Sequence, residues 1–434
     1  MADELNTPRV AIVGAGYAGL AAAVELAAAG IAVDVFEASR SLGGRARAAE
    51  IEGITLDNGQ HILVGAYRET LRLMRQVGAD PETLLLRLPL RLSYPGVLRV
   101  AAPTWPKPWP APLHLAAALL GAHGLNWREK LAAARLMQFL KGCRYRLKAD
   151  MPMAELMDRL AQPPRLRRYF WDPLCIATLN TPVEYASAQI FANVLRDTLG
   201  AERAASDLLI PRVDLSALFP EPAAAWLQQR GISVQRGRRI EALAHDGRQF
   251  QLDGQGSYSH TILAVAPHHL APLLPPGLEA LREQLAQLSY EPIVTAWLQY
   301  PAKVQLPEPM IGYGDGLAQW IFDRGQLDGP AGLLAVVISA QGRHRELGNE
   351  ALCAALHGEL AGLIADLPSP LWSRVVTEKR ATFACTPGQQ RPAMRTAIPG
   401  LLLAGDHVAS DYPATIESAI RSGIAAAREV IQGH

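Results

Sequence analysis

The first forty residues alternate between apolar runs and a segment rich in glycine and alanine. Val10–Val13 is a short apolar run typical of a buried parallel strand, and the Ala-rich segment after it predicts a helix that extends to Ala29. Gly30 predicts the end of that helix, because a residue without a Cβ atom tolerates the left-handed conformation. A second apolar strand, Ile31–Phe36, ends at Glu37. This order of elements predicts a strand–helix–strand unit.

Three glycines between the first strand and the helix have the G-x-G-x-x-G spacing. Gly14 permits a tight turn, Gly16 lets backbone amides approach a pyrophosphate, and Gly19 lets the helix pack closely on the strand. Glu37, eighteen positions after Gly19, can accept hydrogen bonds from an adenosine ribose. The glycines alone are a weak signal, but strand, glycines, helix, second strand and acid occur in the order that a dinucleotide site requires. The predicted contacts are Gly14, Ala15, Gly16, Tyr17, Ala18, Gly19, Glu37 and Ala38.

Later segments extend this unit and surround a second region. Gly53 marks a hairpin turn, Gly231–Leu243 has the pattern of strand, turn and strand, and Thr261–Val265 and Leu401–Ala404 are buried strands. The region between them contains alternating strands at 293–299 and 333–339, a helix near 350–366, and a helix stop or turn at 180–182. We therefore expect a discontinuous dinucleotide domain at 1–70, 211–278 and 385–434, and a substrate domain at 71–210 and 279–384.

Composition narrows the function classes. The chain has 434 residues, enough for two domains, and a net charge of +1 gives no electrostatic case for binding nucleic acid. Four scattered cysteines without a C-x-x-C pair argue against a zinc site and suit a reducing compartment. The start of the chain lacks the pattern of a secretory signal, and no apolar run reaches the roughly 18 residues that a membrane span needs. These features predict a cytoplasmic protein without a metal site.

One segment has the composition of a membrane-surface element. Residues 104–127 begin with a Pro-rich stretch and contain a short apolar centre that has tryptophans on both sides. Its tryptophans and the nearby basic residues are Trp105, Lys107, Trp109, Trp127, Arg128 and Lys130. A segment of this kind can dip into one face of a bilayer, or it can be a helix pair packed on the core of the protein. We predict a membrane-contact segment at 103–130 and keep the second interpretation open.

The segment just after Glu37 indicates which dinucleotide is bound. Leu42-Gly43-Gly44-Arg45 at this position resembles the large family of flavin-dependent amine oxidases and polyene desaturases. In that family the Gly-Gly-Arg segment lies along the pyrophosphate of FAD, and the arginine supplies a planar set of donors. The resemblance implies FAD rather than NAD, with Gly44 and Arg45 as contacts. We expect the FAD to be bound noncovalently, with Cys385 as a conceivable site of covalent attachment.

Further matches to this family lie along the chain. The resemblance places Gly59, Gln60 and His61 of LDNGQHILVGAY against the flavin ring, and the strand that holds Ile240 beside the adenine. Near the other end, an acid follows a buried strand and a helix begins soon after it, an arrangement that suits ribityl hydroxyls and a charged flavin ring. The contacts that the resemblance implies there are Gly405, Asp406, Thr415 and Ile416.

A narrower resemblance concerns the substrate. The string W-x-P-L-C-x-A-x-L-N-T-P at 171–182 and the segment 211–231 are similar to the hydroxysqualene dehydroxylases of hopanoid synthesis, and the similarity covers essentially the whole chain. It implies a Rossmann-like α/β FAD domain of the flavin amine oxidase type, an interleaved α+β substrate domain and a helical membrane-facing part. The expected partners are a long apolar isoprenoid, the inner face of the cell membrane, an unidentified reductant and other enzymes of squalene or hopanoid synthesis.

The implied reaction is removal of the hydroxyl group of hydroxysqualene by hydride transfer from reduced flavin. The departing hydroxide needs a proton, and His61 and Tyr412 are the candidate donors because they are close to the flavin motifs. Two alternatives stay open. The chain could be a flavin-dependent desaturase of carotenoid precursors, or an oxidase of an amine or porphyrinogen. It could also be a flavin-bearing scaffold that presents lipids to a membrane enzyme.

Overall fold

The computed structural model describes residues 8–103 and 111–433. The strands are β1 (Arg9–Val13), β2 (Ala32–Glu37), β3 (Ala48–Ile51), β4 (Ile54–Asp57), β5 (Leu63–Val64), β6 (Leu85–Leu88), β7 (Arg91–Tyr94), β8 (Leu98–Ala101), β9 (Leu208–Pro211), β10 (Val234–Arg236), β11 (Leu243–His245), β12 (Phe250–Leu252), β13 (Gln255–Tyr258), β14 (His260–Leu263), β15 (Tyr290–Gln299), β16 (Met310–Gly312), β17 (Trp320–Asp323), β18 (Leu333–Ser339), β19 (Trp372–Phe383) and β20 (Leu401–Leu403).

Helices connect and cover these strands. They are α1 (Tyr17–Ala28), α2 (Arg68–Gln76), α3 (Pro81–Leu84), α4 (Ala111–Leu120), α5 (Trp127–Gly142), α6 (Met153–Arg159), α7 (Pro164–Leu166), α8 (Asp172–Leu179), α9 (Ala188–Thr198), α10 (Leu215–Leu218), α11 (Pro220–Gln228), α12 (Pro267–Leu273), α13 (Glu279–Ala286), α14 (Asn349–Ala361) and α15 (Ile416–Gln432). A π-helical turn at Arg167–Trp171 leads into α8.

A five-stranded parallel sheet organises the first half of the fold. Its strand order is β10-β2-β1-β14-β20, so strands from four distant parts of the chain lie side by side. Alternate residues point to opposite faces: Val10 and Ile12 pack against α1, α11 and α15, whereas Ala11 and Val13 pack against β11–β13 and α12. Because both faces are covered, β1 and β20 consist of nearly continuous apolar runs.

A second sheet of five antiparallel strands, β16-β17-β18-β15-β19, forms the other half. One face packs on α14, and the other face contributes Trp320, Phe322 and Val337 to a core shared with α5, α8 and α9. The sheet therefore has an apolar inner face that looks towards helices of the intervening region. This face becomes important for the functional site.

Two sequence predictions about elements are wrong. The helix predicted at 350–366 ends at Ala361, because Gly362 caps it and Asp366 takes a left-handed conformation with φ of 52°. Ile240 lies in irregular backbone between β10 and β11 and not on a strand.

The predicted membrane-contact residues Trp105, Lys107 and Trp109 lie outside the described residues. None of the helices in the described ranges has both the length and the apolar character needed to cross a membrane.

Helices α1 and α15 approach so closely that a glycine is required between them. A Cβ atom added at Gly423 of α15 would lie 2.0 Å from the backbone oxygen of Ala18 in α1. We expect Gly423→Ala to push the helices apart and lower the free energy of unfolding by about 1–3 kcal/mol, as overpacking does. The measurement is urea unfolding followed by circular dichroism.

The matched control is Gly358→Ala in α14, where an added Cβ atom meets nothing within 4 Å. Alanine has the higher helix propensity, so we expect this variant to gain about 0.5–1 kcal/mol. Equal effects of the two substitutions would contradict the assignment of Gly423 to a close helix contact.

Candidate active site

A single cavity of about 1230 Å³ extends from the glycine-rich turn after β1 to the inner face of the antiparallel sheet. Most of the predicted cofactor contacts line it, as does the candidate donor Tyr412. These predicted residues are Gly14, Gly16, Tyr17, Ala18, Glu37, Ala38, Gly44, Arg45, Gly59, Gln60, His61, Ile240, Gly405, Asp406, Thr415 and Ile416. The structure thus brings segments from both ends of the chain to one site.

Two predicted contacts support the glycine turn from behind the cavity. Ala15 donates its backbone N–H to a carboxylate oxygen of Glu37 at 2.7 Å. Gly19 packs the helix on the turn, because a Cβ atom there would lie 1.9 Å from the Gly14 oxygen. Gly14 itself has φ of 106° and passes Ala264 so closely that any side chain would collide. The turn is therefore fixed by close backbone packing and by the Glu37 carboxylate.

Arg45 and Asp406 form an ion pair although 361 residues separate them. Arg45 also donates to the Ala381 oxygen at 2.8 Å. Burial by itself would raise the pKa of Asp406, but the charge of Arg45, its hydrogen bond and the neighbouring His407 ring, 3.9 Å away, outweigh burial and hold this pKa well below its usual range. Asp406 is therefore an ionised acceptor at the junction of two predicted cofactor motifs.

His407 offers unpaired polar atoms to the cofactor region. The side chain is 2% exposed and lines the cavity, yet both ring nitrogens are without a hydrogen-bond partner. Buried polar groups normally have partners, so these nitrogens fit a ligand that carries hydroxyl or phosphate oxygens. Together with Glu37, the Gly-Gly-Arg turn and the first turn of α15, they suit an FAD molecule.

Helix α15 begins at the cavity. Thr415 caps it by accepting a hydrogen bond from the Ser418 amide at 3.1 Å, and the Ser418 hydroxyl accepts one from the Thr415 amide in return. Thr415 and Ile416 both line the cavity. The helix extends from Ile416 to Gln432, so the positive end of its dipole can stabilise negative charge there.

His61 is held as a neutral imidazole. Its Nδ1 lies 2.6 Å from the Gly59 oxygen, an acceptor, so we assign the proton to Nδ1 and leave Nε2 as an acceptor. Burial lowers the pKa of His61, and the bond to Gly59 only partly offsets this. A neutral ring with an unprotonated Nε2 is a weak proton donor.

Tyr412 belongs to a chain of charged groups. Its hydroxyl donates to a carboxylate oxygen of Asp197 at 2.6 Å and accepts from Arg421 at 3.1 Å, and Arg196 donates to Asp197 through two nitrogens. Burial and the bond to Asp197 raise the pKa of Tyr412, so the phenol keeps its proton. Arg421 is placed to stabilise the phenolate that proton transfer would leave.

The far arm of the cavity is apolar. Its wall comes from β7, α8, α9 and the inner face of the antiparallel sheet, and the residues include Leu90, Leu92, Val100, Phe170, Leu174, Phe191, Val194, Leu195, Ile293, Met310, Trp320, Phe322 and Val337. Such a wall can bind a long hydrocarbon but offers few polar groups to recognise one. Arg91 is a charged residue in this part of the wall.

Asn180 fixes the helix that forms one side of this arm. It ends α8 in the left-handed conformation, donates to the Thr382 hydroxyl at 2.9 Å and accepts from the Ala340 amide at 2.7 Å. The Asn-Thr-Pro string is thus a structural connection between α8 and the antiparallel sheet. Cys385 is fully buried nearby, and burial raises its pKa to about 12, so this thiol stays protonated and unreactive.

Sequence reasoning missed several residues of the site. Asp197 lies in an ordinary amphipathic helix, so no local pattern distinguishes it. His407 directly follows Asp406 and could have been recognised as a histidine inside a cofactor motif. Lys379 and Arg380 line the cavity from β19, where nothing in the alternation of residues marks them.

Comparisons with known proteins agree with this site. The family model of flavin containing amine oxidoreductases matches residues 17–431. Hydroxysqualene dehydroxylase of Rhodopseudomonas palustris is 34% identical, with 97% of this chain and 98% of that protein covered. The enzyme of the same name from Sinorhizobium fredii is 31% identical, with 96% and 97% covered. Zeta-carotene desaturase of Synechocystis sp. is 24% identical over 98% of this chain and 97% of that protein.

A solved structure has the same architecture. Cyclohexylamine oxidase from Brevibacterium oxydans superposes with a TM-score of 0.68 at 17% identity, with 98% of this chain and 99% of that chain covered. At this level of identity the likeness establishes the fold, and the fold is that of the flavin amine oxidases.

Proposed function

We propose that this chain, which belongs to the family of flavin containing amine oxidoreductases and within it to the hydroxysqualene dehydroxylases, converts hydroxysqualene to squalene. The observation that carries the proposal is one continuous cavity in which FAD-type contacts meet a long apolar arm. FAD, the cofactor of this family, supplies a hydride when bound in its reduced form. The carbon–oxygen bond breaks, the hydride takes its place, and a proton converts the departing hydroxide to water.

The apolar arm positions the substrate. Phe191, Trp320 and Phe322 offer a hydrocarbon wall, so the isoprenoid chain is held by apolar burial at about 25 cal/mol per Å² and not by polar contacts. The same wall excludes water from the reacting carbon. This matters because an allylic cation that met water would return to the alcohol.

Tyr412 is the better of the two proposed proton donors. Its phenol is protonated, and Arg421 can stabilise the phenolate after transfer. His61 has its Nδ1 occupied by the Gly59 oxygen and an unprotonated Nε2, so it suits the role of acceptor or of an orienting group. The Tyr412 hydroxyl donates to Asp197 in this structure, so it has to turn from Asp197 to the departing hydroxide to give up its proton.

The test of the function is an anaerobic single turnover. The bound flavin is reduced, hydroxysqualene is added, and flavin absorbance and extracted lipid are followed together. Reoxidation of the flavin with an equal amount of squalene is the expected result. If the flavin stays reduced and the lipid is unchanged in folded, FAD-loaded protein, the proposal is wrong.

Two other functions predict different results in the same assay. A carotenoid desaturase, favoured by the likeness to zeta-carotene desaturase, would show reduction of oxidised flavin by a carotenoid precursor. A lipid-presenting scaffold would bind hydroxysqualene without any change in flavin absorbance.

We also propose peripheral contact with the cytoplasmic face of the cell membrane through the start of α5. Trp127 and Leu131, one turn apart, are 66% and 60% exposed, and Leu120 at the end of α4 is 73% exposed. Arg128 lies over the Trp127 ring at 5.5 Å, and Lys130 is adjacent. Aromatic and apolar side chains beside cations are typical of elements that bind anionic bilayer surfaces.

Removing the two apolar side chains should weaken this contact. We expect Trp127→Ser with Leu131→Ser to lower binding to anionic phospholipid vesicles about tenfold or more, because each side chain loses on the order of 1 kcal/mol of burial. Vesicle flotation gives the bound fraction. The matched control is Leu371→Ser, which is also 66% exposed and lies next to β19. Equal binding of all three proteins would exclude this surface.

A further inference from the structure

A buried cation lies behind the segment Gly59–His61, which lines the cavity and is called the strip below. Arg324 follows β17, is 6% exposed, and donates from one nitrogen to the Gln60 side-chain oxygen at 3.2 Å and to the Pro211 oxygen at 3.1 Å. Both acceptors are neutral, and its Nε has no partner. Within the described ranges no carboxylate forms a salt bridge with this guanidinium. A buried charge in this state is costly, which makes Arg324 a candidate for a functional role.

The negative charges that act on Arg324 belong to acids that do not form a salt bridge with it. Asp57 is buried and accepts a hydrogen bond from the Leu215 amide at 2.7 Å. Burial raises its pKa to about 7, although the Leu215 bond and the charge of Arg324 oppose this. Asp214 and Asp328 also act on Arg324 with negative charge, and Tyr17 faces Asp57. The negative charge of Asp57 therefore offsets the positive charge of Arg324 above neutral pH. Below neutral pH Asp57 becomes protonated, and the offset is smaller.

Gln60 connects this charge to the cavity. Its side-chain nitrogen donates to the His61 oxygen at 3.0 Å while its side-chain oxygen accepts from Arg324, so one amide fixes the backbone of the strip from behind. Gly59, Gln60 and His61 all line the cavity. Arg324 acts on the occupant of the cavity through this strip and through its electric field.

We propose that Arg324 is a positioning residue whose buried positive charge, partly offset by Asp57, stabilises the reduced and negatively charged form of the cofactor held against Gly59–His61. Reduction adds two electrons and one proton to the flavin, so the cofactor gains one negative charge. A fixed cation in a low-dielectric site favours that charge far more than it would in water. The inference rests on the proposed function for the place of the flavin ring.

The test is the two-electron reduction potential of the FAD-loaded protein without lipid, measured by spectroelectrochemical titration. We expect Arg324→Gln to lower the equilibrium constant for reduction about tenfold, a shift of about 30 mV to more negative potential. Arg324→Lys keeps the charge and should stay close to wild type. Arg374→Gln is the matched control, because Arg374 forms an exposed ion pair with Glu52 and does not line the cavity.

Asp57→Asn should shift the reduction potential in the opposite direction, and it leaves Arg324 in place. At pH 8.5, where Asp57 is ionised, this variant removes a negative charge and should shift the potential to more positive values. At pH 5.5, where Asp57 is protonated, it should match wild type. The asparagine oxygen can still accept the Leu215 hydrogen bond, so folding should be retained.

If the reduction potential is unchanged in both Arg324→Gln and Asp57→Asn, with FAD fully bound, the proposal is wrong. Arg324 would then only hold the Gln60 side chain in place. If Arg324→Gln does not fold, the absence of a positive shift in Asp57→Asn at pH 8.5 is enough to overturn it. The reduction potential is measured without substrate, so a failure to form squalene in the single-turnover assay would not affect the result of this test. The two proposals can therefore fail separately.

Discussion

Asp406→Ala should lower the affinity for FAD about 100-fold or more and destabilise the apoprotein by about 1–3 kcal/mol. The substitution removes an ionised acceptor from the proposed cofactor site and leaves the partly buried Arg45 without its carboxylate. Quenching of FAD fluorescence gives the affinity, and urea unfolding of the apoprotein gives the stability.

The pH dependence of unfolding provides a second measurement. The pKa of Asp406 is depressed in the folded state, so its contribution to the free energy of unfolding is complete above the ordinary carboxyl pKa of about 3.9 and is lost as the pH falls below it. The variant should therefore lose part of the acid-induced fall in stability that wild type shows.

The matched control is Asp34→Ala, which breaks the exposed pair between Asp34 and Arg9 on the same parallel sheet. Surface pairs contribute about 0–1 kcal/mol, and Asp34 does not line the cavity. FAD affinity should be unchanged in this control. If Asp406→Ala binds FAD as wild type does, the assignment of the second cofactor motif is wrong.

Tyr412→Phe should slow squalene formation in a single turnover by about 10²–10³-fold, within the range that general acid catalysis contributes. The variant loses only the hydroxyl group, so the ring still fills its place and Arg421 still stacks near it at 4.7 Å from the ring centre. FAD affinity and the flavin spectrum should remain those of wild type. Rapid-quench lipid analysis separates this chemical step from substrate binding.

Companion variants distinguish the proton donor from its neighbours. Asp197→Asn should give a smaller loss, because the phenol remains but its direction is less well fixed. His61→Ala should slow the step less than Tyr412→Phe does, since Nε2 carries no proton at neutral pH. Tyr300→Phe, a buried tyrosine bonded to His357 on the α14 side of the antiparallel sheet, is the control. A wild-type rate in Tyr412→Phe would remove Tyr412 from the mechanism.

The sequence predicted best where local pattern and backbone requirement coincide. The first strand, helix and second strand lie within a residue or two of their predicted bounds, because periodicity and the conformation of Gly14 and Gly30 act together there. Asn180 was predicted as a helix stop and is one. Its hydrogen bonds to Thr382 and Ala340 could not be predicted, because they depend on strands more than 100 residues away.

Single charged residues inside ordinary elements were the least predictable part of the site. Arg324 and Asp197 follow no motif, and their significance comes from burial and from partners that meet only in three dimensions. The ion pair of Arg45 with Asp406 is an intermediate case. Both residues were predicted as cofactor contacts, but nothing in either segment encodes the pairing between them. The domain boundaries, the membrane contact and the roles of individual site residues stay proposals.

The close packing of α15 on α1 has a consequence for biogenesis. Strand β20 is at the edge of the parallel sheet beside β14, and α15 covers apolar residues of α1 that are made almost 400 residues earlier on the ribosome. The first strand–helix–strand unit therefore leaves the ribosome with this apolar face uncovered, and the face stays uncovered until α15 is made. We expect the exposed face to make the unfinished chain prone to aggregation during that interval. The two predicted cofactor motifs also come together only after residues 401–432 have left the exit tunnel.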